Sequence, residues 1–142
     1  MINNYTILCS MLETTRMGQT GLRAVLKKEL SLELQDALQR QLREYDLIEG
    51  EIRQLAENRD WKLKDRKRPL RAMIEHMTWM KLRKKDRDTI VADMLIQGNT
   101  QGMVKTLRDI HRYEGSDTQV TDLSQKLLYC EIENIREMKP FL

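Results

Sequence analysis

A chain of 142 residues with a net charge of +3 is long enough to fold as one domain around a hydrophobic core. Aromatic residues make up only 5% of it, and two prolines and six glycines leave few turn signals, so the composition predicts an all-α fold. No apolar run approaches the roughly 18 residues of a membrane span, and the N-terminus lacks the basic region of a secretory signal. Cys9 and Cys130 lie far apart and outside any CxxC spacing, which indicates free, buried thiols in a cytoplasmic protein.

Apolar spacing predicts two helices in the first half of the chain. Helix A is expected at about 4–30, after a cap at Asn3 or Asn4, and helix B at about 32–59, after a cap at Ser31. The apolar residues of helix B recur at steps of three and four, which is the period of a buried helix face. They are Leu34, Leu38, Leu42, Tyr45, Ile48, Ile52 and Leu55. The short connection between the two helices predicts an antiparallel hairpin.

A second pair of helices is predicted beyond a crossover at 60–87. Helix C is expected at about 88–114 and helix D at about 117–138, with a capping box that begins at Ser116. A short helix at about 69–82 is predicted inside the crossover. Two hairpins joined by one long crossover predict a single-domain, up-down-down-up four-helix bundle.

Glycine interrupts two of the predicted helices, at Gly18 and Gly21 in helix A and at Gly98 and Gly102 in helix C. Each glycine costs roughly 0.5–1 kcal/mol relative to alanine, and the close approach of a neighbouring helix is the usual compensation. Setting Gly21 against Gly102 aligns the two halves of the chain as a weak internal repeat.

Each long predicted helix carries an acidic residue near its core face. These acids are Glu13 on helix A, Asp46 and Glu49 on helix B, Asp93 on helix C and Glu131 on helix D. Carboxylate-bridged di-iron bundles place a Glu on two helices and a Glu-x-x-His on the other two. Here the matching pairs are Asp-x-x-Glu on helix B and Glu-x-x-Asn on helix D, and neither contains histidine. The five acids therefore predict a degenerate metal site, and an all-oxygen site would suit Mn, Mg or Ca better than iron. The alternative is that they pair with Arg16, Arg43 or Lys126.

Two stretches of sequence carry a resemblance beyond these patterns. "AENRDW" at the end of helix B and "KLLYCEIENIREMKPFL" at the C-terminus are similar to uncharacterised bacterial members of the ferritin-like superfamily, including the spore coat F type. The resemblance implies a bacterial protein in the cytoplasm or the spore, with a ferritin-like bundle fold. We expect a non-enzymatic bundle without a cofactor that forms homo-oligomers or binds a protein partner. The alternative is a metal-binding protein or oxidoreductase that holds a divalent metal ion.

The crossover differs in charge from both of its flanks. Residues 59–87 carry twelve basic and four acidic side chains, a sum of +8, whereas 1–58 sum to −2 and 88–142 to −3. Such a segment can bind nucleic acid or another anionic surface, or it can pack on the acidic helices of its own bundle. The second interpretation is preferred. The candidate binding residues are Lys62, Lys64, Arg66, Lys67, Arg68, Lys84 and Lys85.

Overall fold

The computed structural model describes residues 1–64 and 86–142. Within them it contains four α-helices and no β-strand, so the prediction of an all-α, four-helix protein is confirmed. The helices are α1 (Asn4–Val25), α2 (Leu32–Asn58), α3 (Arg87–Arg112) and α4 (Thr118–Met138), followed by a 3-10 turn (Lys139–Phe141). The predicted short helix at about 69–82 lies outside the described residues.

Side-chain caps set the starts of three helices. The Asn3 side chain accepts a hydrogen bond from the Thr6 amide at the start of α1. Ser31 does the same for α2, as predicted, at 3.3 Å from the Leu34 amide. At α4 the cap is Asp117 instead of the predicted Ser116. Its carboxylate accepts two backbone N–H groups and carries the negative charge that a helix N-terminus favours.

The connection between α1 and α2 is longer than the sequence predicts. α1 ends at Val25, five residues before the predicted end, and the following residues contact the start of α3. The Ser31 amide donates to the Asp88 carboxylate at 3.1 Å, and the Arg87 guanidinium donates to the Glu29 carbonyl at 3.4 Å. These contacts tie the α1–α2 connection to the start of α3.

The helices pair as two antiparallel hairpins. Arg16 of α1 bonds Glu49 of α2, and Arg23, further along α1, reaches Asp46, which comes earlier in α2. α3 and α4 form the second hairpin and share the most extensive contacts in the bundle. α1 also packs on α3 and α2 on α4, so each hairpin covers the apolar side of the other.

The core runs between the hairpins and contains most of the predicted stripe of helix B. Leu42 alone of that stripe is half-buried. Full burial of a Leu or Ile side chain stabilises a fold by about 1.5–3 kcal/mol. The largest apolar side chains that are completely enclosed are Ile7, Leu8, Leu12, Leu22, Leu34, Leu38, Ile48, Ile52, Leu127 and Met138.

Candidate functional site

A layer of polar side chains crosses the core at mid-height, and we call it the central polar cluster. Its members are Tyr45 of α2, Asn99 of α3 and Glu131 and Asn134 of α4, each between 2% and 8% exposed. The Tyr45 hydroxyl donates to Asn99 Oδ1 at 3.0 Å and accepts from Asn134 Nδ2 at 3.3 Å. Asn99 Nδ2 donates to the Leu95 carbonyl at 2.8 Å. The cluster therefore ties three helices together without leaving its amides unsatisfied.

Two glycines make room for the largest members of this cluster. A Cβ on Gly18 of α1 would lie 2.6 Å from Tyr45 Cζ, and a Cβ on Gly102 of α3 would lie 2.8 Å from Glu131 Oε2. Both distances are far below van der Waals contact, so α1 and α3 approach this layer only because these positions lack a side chain. The close approach that the sequence predicts is confirmed at both glycines, whereas Gly98 has nothing within 4 Å.

Burial shifts the titratable groups of the central polar cluster, and the adjacent Cys130, toward their uncharged forms. Burial raises the pKa of Glu131 to about 8, although its hydrogen bond with Tyr45 and the charge of Lys105 oppose the shift. Burial and the neighbouring Glu131 raise the pKa of Tyr45 well above its usual value of 10. Burial, with a smaller effect of Glu131, raises the pKa of the Cys130 thiol to about 12. A thiol and a phenol held in their protonated forms are poor nucleophiles and bases.

A lysine joins two of the predicted metal ligands. Lys105 Nζ lies 3.9 Å from Glu13 Oε1, and its charge also acts on Glu131. The same ammonium donates to the Ser10 carbonyl at 3.0 Å and to Thr14 Oγ1 at 2.9 Å. The chain itself thus supplies a cation beside the Glu13 carboxylate, and the charge of that cation lowers the pKa of Glu131. Sequence reasoning missed this residue, although it lies three positions after Gly102 and therefore on the same helix face.

Asp46 and Glu49 lie on the outer side of the α1–α2 hairpin. Gln19 Nε2 donates to both carboxylates at 2.9 Å. Arg53 Nε lies 2.7 Å and Arg16 Nη1 3.2 Å from the Glu49 carboxylate. Burial raises the pKa of Glu49, but the hydrogen bonds from Arg53 and Gln19 outweigh it and the net shift is downward. The alternative pairing predicted from the sequence is therefore present for Arg16.

The remaining acid, Asp93, is exposed on α3 and accepts a hydrogen bond from Gln97 at 3.1 Å. The five acids thus fall into three places: Glu13 and Glu131 near Lys105, Asp46 and Glu49 among arginines, and Asp93 on the surface. Across 1–64 and 86–142, no three His, Cys, Asp or Glu side chains are grouped so that they could hold a metal ion.

The predicted anion-binding residues are described only in part. Lys62 and Lys64 are exposed, and the Lys62 carbonyl accepts a hydrogen bond from the Tyr5 hydroxyl at 3.0 Å. Where the chain enters the crossover, Arg59 lies 3.1 Å from the Asp117 carboxylate. Arg66, Lys67, Arg68, Lys84 and Lys85 lie outside the described residues.

Four exposed apolar side chains form a second candidate site, which we call the α4 belt. They are Tyr129 and Ile132 of α4, Leu47 of α2 and Val104 of α3, with exposures of 65%, 44%, 64% and 43%. Sequence reasoning missed the belt because its residues belong to three different helices. Only the tertiary arrangement brings them to one level of the bundle.

The contacts of α4 with its neighbours fix that level. Lys126 Nζ lies 2.9 Å from Glu51 Oε1, and Leu47 is four residues before Glu51 while Tyr129 is three residues after Lys126. Because α2 and α4 are antiparallel there, both steps of about 5 Å run the same way along the bundle. Val104 of α3 is two residues after Gly102, and Tyr129 of α4 is two residues before Glu131, which faces that glycine. Because α3 and α4 are antiparallel, Val104 and Tyr129 also lie at the same level.

The chain matches no known protein family, no curated protein and no solved structure. No helix in the described ranges combines the length and the apolarity needed to cross a membrane.

Proposed function

We propose that this protein is a non-enzymatic helical bundle that works by self-association through the α4 belt. The observation that carries the proposal is the grouping of four exposed apolar side chains at one level on three adjacent helices. Exposed apolar side chains can supply a binding surface in a soluble protein, and tyrosine is enriched among the residues that dominate binding energy. The central polar cluster supports the same proposal because its members are only 2% to 8% exposed and offer a substrate no access.

We further propose that the bundle is ferritin-like, with an up-down-down-up order of helices. The antiparallel contacts of α1 with α2 and of α3 with α4 support this order. Two hydrogen bonds between the side chains of α2 and α4 support it as well. Lys126 bonds Glu51 and, toward the other end of α4, Glu137 bonds Gln41, so α4 runs against α2. On this proposal Lys105 occupies the place of a metal ion in a degenerate site, and the protein belongs in the cytoplasm or the spore.

The mass of the protein in solution tests the function. Sedimentation velocity across a range of micromolar concentrations is expected to show a reversible increase from monomer to oligomer. Leu47→Glu with Tyr129→Glu is expected to shift the equilibrium to the monomer, because it places two charges inside the apolar contact. The control is Leu32→Glu, which changes an apolar residue that is 77% exposed at the start of α2, away from the belt. A wild-type protein that stays monomeric at every concentration would contradict the proposed function.

Divalent metal binding is the second candidate, and the observation that favours it is that one cation, Lys105, lies 3.9 Å from Glu13 and also acts electrostatically on Glu131. Metal analysis of the purified protein tests it directly. Stoichiometric metal in the wild type, and its absence in Glu131→Gln, would establish metal binding in place of the internal lysine cation. Nucleic-acid binding by the crossover stays a prediction of the sequence.

The role of Lys105 gives a prediction about stability. Lys105→Met is expected to destabilise the fold by about 2 kcal/mol, because it removes the cation beside Glu13 and two hydrogen bonds to α1. Chemical denaturation at pH 7 measures the change. The matched control is Lys126→Met, which breaks an ion pair whose two side chains are nearly half exposed, and a loss below about 1 kcal/mol is expected there. Equal losses in the two variants would show that Lys105 is an ordinary surface lysine.

A further inference from the structure

We infer that the occupant of the α4 belt is a second copy of this chain, with the two α4 helices antiparallel about a two-fold axis at Tyr129. The inference rests on the proposed self-association and adds its geometry. It follows from two exposed residues of opposite charge on the outer face of α4, Asp122 and Arg136, which lie at equal distances on either side of Tyr129; Arg136 also bonds Glu133 of its own helix at 2.6 Å.

The charges lie symmetrically about Tyr129. Asp122 is seven residues before it and Arg136 seven residues after it, both exposed on the same helix. Seven residues are close to two turns, so all three side chains fall on one stripe, with each charge about 10 Å from the tyrosine. Antiparallel pairing of two such stripes sets Asp122 of each copy opposite Arg136 of the other.

The apolar residues fit the same pairing. Tyr129 meets its own counterpart at the axis, where two aromatic rings can pack face to edge. Ile132, three residues after Tyr129, falls opposite Lys126 of the other copy, three residues before it. The aliphatic stem of a lysine covers apolar surface while its ammonium stays hydrated or paired, and Lys126 keeps its contact with Glu51 at the edge of the interface.

A parallel pairing of the same two faces is unfavourable. It would place Asp122 against Asp122 and Arg136 against Arg136, so that like charges meet at both ends of the contact. In the antiparallel arrangement two-fold symmetry instead repeats the Asp122–Arg136 pair, once at each end of the contact. The charge pattern therefore selects the antiparallel arrangement of two identical chains over a parallel one.

A charge-reversal series tests the pairing in the full-length protein. Asp122→Arg and Arg136→Asp are each expected to raise the dimer dissociation constant about tenfold, since each brings like charges together at two places. The double variant D122R/R136D restores both pairs with reversed sign and is expected to return within about twofold of the wild type. Glu29→Arg is the matched control, because it makes the same charge change at an exposed position in the α1–α2 connection. Thermal unfolding of each variant confirms that the monomer is still folded.

The outcomes separate this inference from the function on which it rests. A monomeric wild type contradicts both. A wild-type dimer that survives Tyr129→Glu overturns the inferred surface and leaves self-association standing. A dimer that Tyr129→Glu abolishes, but that the double charge reversal fails to restore, overturns the two-fold pairing at Tyr129. Binding of a different protein to this surface in preference to a second copy would overturn the inference as well.

Discussion

Gly18→Ala is expected to destabilise the protein by about 2 kcal/mol, although alanine is the better helix former. The new Cβ would lie 2.6 Å from Cζ and 2.7 Å from Cε2 of Tyr45, inside the radius of the ring carbons. Tyr45 is 2% exposed and hydrogen-bonded to Asn99, so its rigid ring has nowhere to move. Overpacking of a core costs up to about 3 kcal/mol of stability. The higher helix propensity of alanine offsets at most about 1 kcal/mol of that cost. Denaturant unfolding of the two proteins measures the difference.

Gly98→Ala is the control for this prediction. It makes the same change in the middle of α3, where nothing lies within 4 Å of the new methyl group, and a gain of up to about 1 kcal/mol is expected. The contact with Tyr45 is tested by a double-mutant cycle, in which the cost of Gly18→Ala should largely disappear in a Tyr45→Leu background. A loss of equal size in both backgrounds would show that the clash is not the cause.

The features that the sequence predicts well are those that depend on local chemistry. The cap at Ser31 and the stripe from Leu34 to Leu55 follow from residue type and helical period alone. Glu131 is placed near the core by the same rule, because Leu127 and Asn134 are separated from it by four and three residues and share its face.

The features that the sequence does not predict depend on how helices are placed against one another. Asp46 is the residue after the buried Tyr45, so it lies about 100° around the helix from it, at the margin of the apolar stripe. A side chain at that margin can face either the core or a neighbouring surface. Which of these occurs depends on the position of α1, whose Gln19 and Arg23 reach this carboxylate. The α4 belt depends on placement even more strongly, because Leu47 and Tyr129 are 82 positions apart in sequence and come to the same level of the bundle only through the α2–α4 contact.

The stability of the protein is expected to fall as the pH rises from about 4.5 to 8, and Glu131 is the cause. Its pKa of about 8 in the folded state is higher than the ordinary value of 4.5 that it regains on unfolding. Between these values the folded state holds a proton that the unfolded state has released, so each rise in pH favours unfolding. The full stabilisation is present below pH 4.5, and the loss reaches at most about 5 kcal/mol by pH 8, from a shift of about 3.5 pH units at 1.36 kcal/mol each.

Glu131→Gln isolates this effect, because an amide of the same shape cannot ionise beneath Tyr45 and Gly102. The variant is expected to match the wild type near pH 4.5 and to exceed it by several kcal/mol at pH 8, measured by urea unfolding at a series of pH values. Tyr45 and Cys130, which lie beside Glu131, keep their protons between pH 4.5 and 8. Burial keeps the pKa of Tyr45 well above 10 and that of Cys130 near 12. Glu133→Gln, on the exposed side of α4, should leave the wild-type slope unchanged. Parallel curves for Glu131→Gln and the wild type would mean that Glu131 is ionised in the folded bundle and that Lys105 neutralises it as a metal ion would.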